Sequence, residues 1–166
     1  NINNKKYNLI IVQSLTEVTG HEWNLADVLM ELAKTVDAKE IIVVEGIPSH
    51  TKEAINLFYY SNKSKLKLKE LSEGIVMGTT AALLLKAKTF PVTCIFAEAH
   101  SELPDSESAA KVVEALDVYL KLKLDFKPLL AAAKKFEVNL KQFMEKAKMS
   151  MPQQQEPKEA KEDYFG

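Results

Sequence analysis

The sequence contains no arginine, since all 22 basic side chains are lysines, and these stand against 23 acidic ones for a net charge of −1. Lysine binds phosphate as a point charge, but it lacks the planar fork with which arginine reads guanine edges and clamps phosphates. Without a basic excess, the chain has no overall field that would attract nucleic acid or an anionic membrane. The composition therefore argues against both as partners.

Cysteine is almost absent as well, because Cys94 is the only one in 166 residues. A single cysteine excludes an intramolecular disulfide, and its place in an apolar run predicts a packed, reduced thiol rather than a nucleophile. No apolar run reaches the ~20 residues that a membrane span needs, and the first residues do not resemble a signal peptide. We therefore expect a cytoplasmic protein.

Enzyme signatures are also missing, including phosphate-binding glycine loops, a nucleophile elbow and paired cysteines. The polar side chains best placed for chemistry follow two predicted strands: His50 after Gly46, and then Glu98, His100, Glu102 and Asp105. Strand ends are where open α/β folds place ligands. However, Pro104 turns the second group into a helix start, so a metal site there would lack an enforced geometry. We predict no catalytic residue, no cofactor and no metal.

The most closely specified stretch spans residues 74–110 and combines a glycine turn, an apolar helix, a buried strand and a helix start. The hydroxyls of Thr79 and Thr80 are expected to cap the helix, which should be buried because it is apolar all round. Residues 92–97 predict a central strand, and Asp105 is placed to cap the next helix. This order of elements predicts a layered α/β domain.

Upstream of this stretch, residues 9–12 form a β-branched run that predicts the first central strand. Residues 21–37 carry apolar side chains three and four positions apart, which predicts a helix. Residues 41–44 predict a second buried strand, so the three elements would form a parallel β-α-β crossover.

Two further strands are predicted over residues 55–60 and 66–71. In the second, leucines alternate with Lys65, Lys67 and Lys69, which is typical of an edge strand guarded against unwanted pairing. The alternative is a basic stripe that binds a polyanion.

The last helix begins near Asp125 and Pro128 and carries a narrow apolar seam. We expect its start to pack on its own domain and its end to lie at a subunit interface. The seam consists of Leu129, Ala133, Phe136, Leu140, Phe143 and Ala147, and the oligomer-contact candidates are Phe136, Leu140, Phe143 and Met144.

Residues 149–166 have no apolar period and predict a flexible tail. The tail ends in Tyr164, Phe165 and Gly166. Exposed aromatic surface is costly unless it docks, so these three residues are the candidate partner-binding site.

Several of these segments together carry a family resemblance. Gly46-Ile47-Pro48 follows a strand, residues 74–84 read GIVMGTTAALL, and Phe96-Ala97-Glu98 precedes Pro104-Asp105 and a helix. Over residues 9–148 the chain resembles the proteasome assembly chaperone family, and in particular its archaeal homologues. The resemblance implies a non-enzymatic protein that binds proteasome α subunits or the α ring and assembles as dimers or larger rings.

The chain departs from that family at both ends. Several members end in a hydrophobic residue, a tyrosine and any residue, whereas here Tyr164 precedes Phe165. The family usually has an upstream strand, glycine loop and helix that are not found here, so we expect either a missing N-terminal unit or a divergent member.

The sequence thus predicts a three-layer α/β/α domain over residues 1–148, with a mostly parallel central sheet, a C-terminal amphipathic helix and a flexible tail. The predicted function is that of a proteasome assembly chaperone that forms a homo-oligomer or a complex with a related subunit. One alternative is a small-ligand-binding protein, or a hydrolase-like or phosphorylase-like enzyme, that uses the strand-end loops. Another is a structural subunit without a proteasome role.

Overall fold

The structure is a computed structural model that describes residues 2–4, 7–49, 55–99, 105–125 and 127–150. It contains a small hairpin, a four-stranded sheet and four helices within these ranges. In chain order the elements are β1 (Ile2–Asn4), β2 (Tyr7–Leu9), α1 (Glu22–Thr35), β3 (Ile41–Pro48), β4 (Leu57–Ser61), β5 (Lys69–Glu70), α2 (Gly78–Lys86), β6 (Val92–Ala99), α3 (Ser106–Leu120) and α4 (Lys127–Ser150).

The four-stranded sheet has the order β3-β6-β4-β5. The pairs β3/β6 and β4/β5 are parallel, whereas β4 runs antiparallel to β6. The six residues that begin β6, Val92 to Ala97, are all buried, as expected for a strand covered on both faces. The sheet is therefore mixed and mostly parallel, which confirms the predicted fold class.

The two faces of this sheet carry different helices. Val92, Cys94 and Phe96 pack in a cluster that includes Leu84 of α2 and Met30 of α1. On the other face, the hydroxyls of Thr93 and of Tyr119 on α3 both donate to the carboxylate of Glu40. The sheet thus lies between α1 and α2 on one side and α3, which carries α4, on the other.

The prediction of a first central strand over residues 9–12 is wrong. Leu9 pairs with Ile2 in the β1/β2 hairpin, and the next three residues belong to no strand. Ile10, Ile11 and Val12 are 53%, 74% and 57% exposed. Strand propensity describes a fit to a pleated, half-buried surface, so a β-branched run becomes a strand only where a neighbour pairs with it. β3 is consequently an edge of the sheet.

The other strand predictions are closer to the structure. β3 and β6 extend beyond their predicted ends, and β4 falls within one residue of its expected end. The lysine-bearing strand is reduced to Lys69–Glu70, and it lies at the sheet edge as predicted.

The two predicted helix caps have opposite outcomes. Asp105 caps α3, because its side chain accepts the amides of Glu107 and Ser108 at 3.0 and 2.9 Å. The cap predicted for α2 is wrong, since Met77 precedes the helix without a side-chain cap. Thr80 instead donates its hydroxyl to Glu45 on β3 at 2.9 Å. A buried hydroxyl needs a partner, and here the sheet offers one in place of the helix end.

The predicted burial of α2 is only partly right. Ala82 and Leu83 are buried against α1, but Leu85 is 64% exposed. An apolar helix is buried all round only if other elements enclose it, and α2 has the sheet and α1 on part of its surface.

Helix α4 continues to Ser150, past the predicted end of the domain at residue 148. The tail residues from 151 onward, including Tyr164, Phe165 and Gly166, lie outside the described residues. Across the ranges that the structure covers, no helix combines the length and apolarity needed to cross a bilayer.

Candidate functional site: the outer face of the last helix

Helices α3 and α4 form an antiparallel hairpin. A short connection joins the end of α3 to the start of α4, and further along α4 the Glu137 carboxylate accepts the backbone amide of Ser106 at 3.1 Å. Ser106 is the first residue of α3. The first part of α4 therefore lies along α3, and the part after Glu137 extends past it.

The contact with α3 divides the predicted apolar seam. Ala133, Glu137 and Leu140 are half-buried, and their spacing of four and three residues places them on one side of the helix. Phe136 and Phe143 are 61% and 71% exposed. The inward part of the seam thus packs within the chain, while its two aromatic residues face outward. Leu140 lies at the border between the two sides.

The exposed aromatic rings form part of a continuous strip. Phe136 and Phe143 are two helical turns apart, or about 10 Å along the axis. Leu140 and Met144 lie beside them, so that the four side chains fall within an arc of about 100°. Met144 is 37% exposed. The four oligomer-contact candidates therefore form one apolar surface, which we call the α4 strip.

Glu137 holds this helix in place. Its carboxylate lies 2.7 Å from the Lys141 ammonium and also accepts hydrogen bonds from Ser106. The hydrogen bond from Lys141, followed by those from Ser106, lowers the pKa of Glu137 to about 2. The group is therefore ionised throughout the neutral range, and it fixes α4 to the first turn of α3.

The strand ends that lead into the two predicted loops lie side by side. In the parallel pair β3/β6, Ile47 is opposite Glu98 and Pro48 is opposite Ala99. The Glu98 carboxylate, however, accepts both the backbone amide of Asn56 at 3.1 Å and its side-chain amide at 2.8 Å. Glu98 thus ties β6 to the start of β4, so a structural role accounts for it.

The other polar side chains predicted at these strand ends do not form a catalytic group among the described residues. His50, His100 and Glu102 lie outside the described residues, and Asp105 is engaged as the cap of α3. Among the residues that are described, no three His, Cys, Asp or Glu side chains are grouped as a metal site would need. Two grooves, of about 780 and 410 Å³, lie elsewhere, and neither is lined by residues 46–49 or 98–99.

Cys94 is a packed thiol, as its sequence context indicates. It is 1% exposed, and burial, with a further effect from the charge of Glu45, raises the pKa of its thiol to about 12. A thiol with so high a pKa is almost entirely protonated at neutral pH, and the protonated form is a poor nucleophile.

Sequence reasoning missed a polar cluster around Glu40. This carboxylate accepts the Tyr119 hydroxyl at 2.9 and 3.0 Å, the Thr93 hydroxyl at 2.5 Å and the Ser64 hydroxyl at 3.3 Å. Burial, together with the neighbouring Glu40 charge, raises the pKa of Tyr119. The cluster joins β6 and α3 to the loop after β4. No local motif reveals it, because its members are far apart in the sequence.

The domain is thus a layered α/β unit whose last helix presents an exposed apolar strip, an arrangement suited to protein contact. The sequence model of the PAC2 family matches residues 2–144. The chain belongs to the PAC2 family, which confirms the resemblance to proteasome assembly chaperones. Comparison with curated proteins gives no match.

Solved structures share the fold. Pyrococcus furiosus PbaA, an archaeal homolog of proteasome-assembly chaperone, is 23% identical with a TM-score of 0.64, over 77% of this chain and 58% of that one. P. furiosus PbaB, an archaeal proteasome activator, is 13% identical with a TM-score of 0.58, over 83% and 62%. A PAC2 family protein from Streptomyces avermitilis is 12% identical with a TM-score of 0.60, over 80% and 62%. The chain spans about three fifths of the length of these relatives.

Proposed function

We propose that this protein is a non-enzymatic assembly factor that self-associates and binds proteasome α subunits or the α ring. The observation that carries the proposal is the PAC2 family match over residues 2–144. Similar folds occur in an archaeal homolog of proteasome-assembly chaperone and in an archaeal proteasome activator, and this similarity also supports a role as an assembly factor. The engaged Glu98 and the protonated Cys94 agree with a binding role rather than a catalytic one.

Self-association is assigned to the α4 strip. Buried aromatic side chains contribute strongly to interfaces, and phenylalanines such as Phe136 and Phe143 gain most when a partner covers them. Two such rings on one side of a helix, with Leu140 and Met144 beside them, match the apolar face that packs along a second helix. A second copy of the same helix is the simplest partner, since symmetric pairing uses one surface twice.

Contact with the proteasome is assigned to the last three residues. In this proposal Tyr164 and Phe165 enter an apolar pocket of the partner, and the carboxylate of Gly166 meets one of its lysines. Capture of a terminal carboxylate is a recurring mode of peptide recognition. Residues 1–148 would then form the folded domain, and residues 149–166 would be the tether that carries this anchor.

Native mass spectrometry of the full chain, alone and mixed with proteasome core particles, tests the proposal. We expect an oligomer in the first sample and a complex with the core particle in the second. Removal of residues 164–166 should abolish the complex and leave the oligomer intact, while replacement of Glu162 by glutamine serves as a tail control.

The outcomes separate the components of the proposal. Binding that is unchanged without residues 164–166 would rule out the anchor. An oligomer that never joins the core particle would refute the proteasome role and favour a structural subunit. A monomer that still binds the core particle would refute self-association alone.

A further inference from the structure

A second surface, distinct from the α4 strip, is a groove of about 780 Å³ between α3 and the segment that leads into β5. Its lining is rich in lysine, with Glu114 as its single acidic side chain. The ammonium-bearing residues are Lys65, Lys67, Lys69, Lys111 and Lys121.

These lysines concentrate positive charge in a chain whose overall net charge is −1. None of the five forms an ion pair with a described acidic residue, in contrast to Lys86 with Asp27 and Lys141 with Glu137. A cleft lined by charge of one sign focuses the electrostatic field and attracts ligands of the opposite sign. The groove is therefore suited to an anionic ligand.

One of the five ammonium groups has a defined position. The Lys69 ammonium lies 5.3 Å from the centroid of the Phe58 ring, which packs with Cys94 and Phe96 on the sheet face opposite α3. This cation–π contact holds the ammonium away from the groove, so the other four lysines supply the charge that a ligand there would meet.

The rest of the lining is largely aliphatic. Leu66 and Leu68 are half-buried, and Val118 of α3 is 57% exposed. Leu57 and Ala115 also line the groove. A ligand that fits this surface has apolar groups as well as negative charges.

We propose that this groove binds an acidic segment of a partner protein, in which carboxylate side chains meet the lysines and aliphatic side chains fill the space against Leu66, Leu68 and Val118. Carboxylates pair with ammonium groups as point charges, so arginine is not required. The β5 edge beside the groove has only Lys69 and Glu70 in strand conformation and leaves the neighbouring backbone free to contact an extended peptide.

Nucleic acid and polyphosphate fit the groove less well. Single-stranded nucleic acid is bound by aromatic stacking platforms along a basic track, and the only aromatic residue in this lining is Tyr119, whose hydroxyl is engaged by Glu40. Polyphosphate would gain nothing from the aliphatic side chains.

The proposal goes beyond the proposed function, because no residue that lines the groove belongs to α4 or to the tail. Binding of an acidic segment here does not depend on proteasome binding.

Fluorescence anisotropy with labelled probes tests this inference on the full chain. The probe is a short peptide that alternates glutamate and leucine. The comparison probes are the same peptide with glutamine for glutamate, oligoglutamate, and single-stranded oligonucleotide. We expect the glutamate-leucine peptide to bind most tightly, and to bind more weakly as salt rises because exposed charge pairs are screened.

The matched variants are two charge reversals of equal size. Lys65→Glu with Lys67→Glu should weaken binding of the glutamate-leucine peptide by about tenfold or more, because like charges then face the ligand. Lys34→Glu with Lys88→Glu changes two exposed lysines outside the groove and should leave affinity within about twofold, as expected for distant surface charges. Val118→Ser should weaken the glutamate-leucine probe but not oligoglutamate. Circular dichroism verifies the fold of each variant.

Three results would overturn the proposal. One is the absence of measurable binding to the glutamate-leucine peptide at low salt. Another is an equal loss of affinity in the two charge-reversed variants, which would indicate a non-specific effect of net charge. The third is tighter binding of the oligonucleotide than of the peptide, which would assign the groove to nucleic acid instead.

Discussion

The Glu137 carboxylate on α4 accepts the backbone amide of Ser106, the first residue of α3. Asp105 accepts the next two amides, those of Glu107 and Ser108. The first amides of a helix have no partner within it, so both carboxylates satisfy groups that would otherwise need water. Docking of α4 is thereby part of the cap of α3, and removal of either contact should lower the stability of the helical hairpin.

Replacement of Glu137 by alanine tests this coupling. We expect the free energy of unfolding to fall by about 1 kcal/mol, the usual cost of removing a helix cap. Glu145→Ala is the control, since it removes an exposed acidic residue from the same helix. Urea unfolding followed by circular dichroism gives both values, and an equal effect of the two substitutions would contradict the proposed coupling.

The stability that Glu137 contributes should depend on pH in a defined window. Its pKa in the folded protein is lowered from 4.5 to about 2, so the folded state favours the ionised group. Above pH 4.5 the contribution is fully present, and it is lost as the pH falls toward 2. Glu137→Gln should therefore be less stable than the parent protein at neutral pH, and the difference should shrink in that window.

A pH series of urea unfolding curves for the two proteins checks this expectation. A difference that stays constant from pH 6 to pH 2 would show that the loss does not arise from ionisation of Glu137.

The α4 strip predicts the effect of polar substitutions on self-association. Phe136→Ser with Phe143→Ser should shift the oligomer toward monomer, because the apolar area available for burial is removed from the centre of the strip. Val138→Ser is the matched control, since Val138 is 53% exposed but lies on another side of the helix. Size-exclusion chromatography with light scattering measures the mass of each, and an oligomer that survives the double substitution would assign the interface to a different surface.

The Glu40 cluster predicts a clear effect on stability from one half-buried carboxylate. Glu40→Ala removes the charged acceptor of the Thr93 and Tyr119 hydroxyls and leaves Thr93 only its contact with Ser61, so we expect a loss of about 2 kcal/mol in the free energy of unfolding. Tyr119→Phe removes only one donor and should cost about 1 kcal/mol. Glu31→Ala on the exposed side of α1 should have little effect. Equal losses for Glu40→Ala and Glu31→Ala in urea unfolding would contradict this role.

Cys94 should be unreactive in the folded protein. Its pKa of about 12 leaves almost no thiolate at pH 8, and the side chain is 1% exposed. Reaction with a disulfide reagent should therefore be slow under native conditions and become rapid in strong denaturant. Fast labelling of the folded protein at pH 8 would contradict both the burial and the raised pKa.

The predictions from sequence succeed where the signal is local. The cap at Asp105 and the buried run of β6 each depend on adjacent residues, and both are present as expected. Residues 9–12 fail as a central strand because pairing depends on a neighbour that the local sequence cannot supply. Thr79 and Thr80 fail as caps because the helix already begins at Gly78, so both residues lie inside its first turn.

The candidate site on α4 also combines a local feature that the sequence predicts with a distant contact that it does not. Heptad spacing identifies an apolar seam on α4, but the spacing does not reveal which residues meet α3. The structure assigns Ala133 to the inward side and leaves Phe136 and Phe143 outside. The Glu137 contact that sets this orientation joins residues 31 positions apart, and no periodicity encodes it.

The geometry of the helical hairpin also has a mechanical consequence. α4 is clamped along α3 only as far as Glu137, and the part from there to Ser150 extends for about 20 Å, with residues 141–146 all exposed. It is in effect a cantilever, with its fixed support at Glu137 and Ser106. A force applied near the free end of α4 therefore acts mainly on the contact between Glu137 and Ser106. Ser108, whose backbone amide is capped by Asp105, donates its hydroxyl to the Glu98 carbonyl at the end of β6. A pull on the overhang would therefore be transmitted through the start of α3 to the central strand of the sheet.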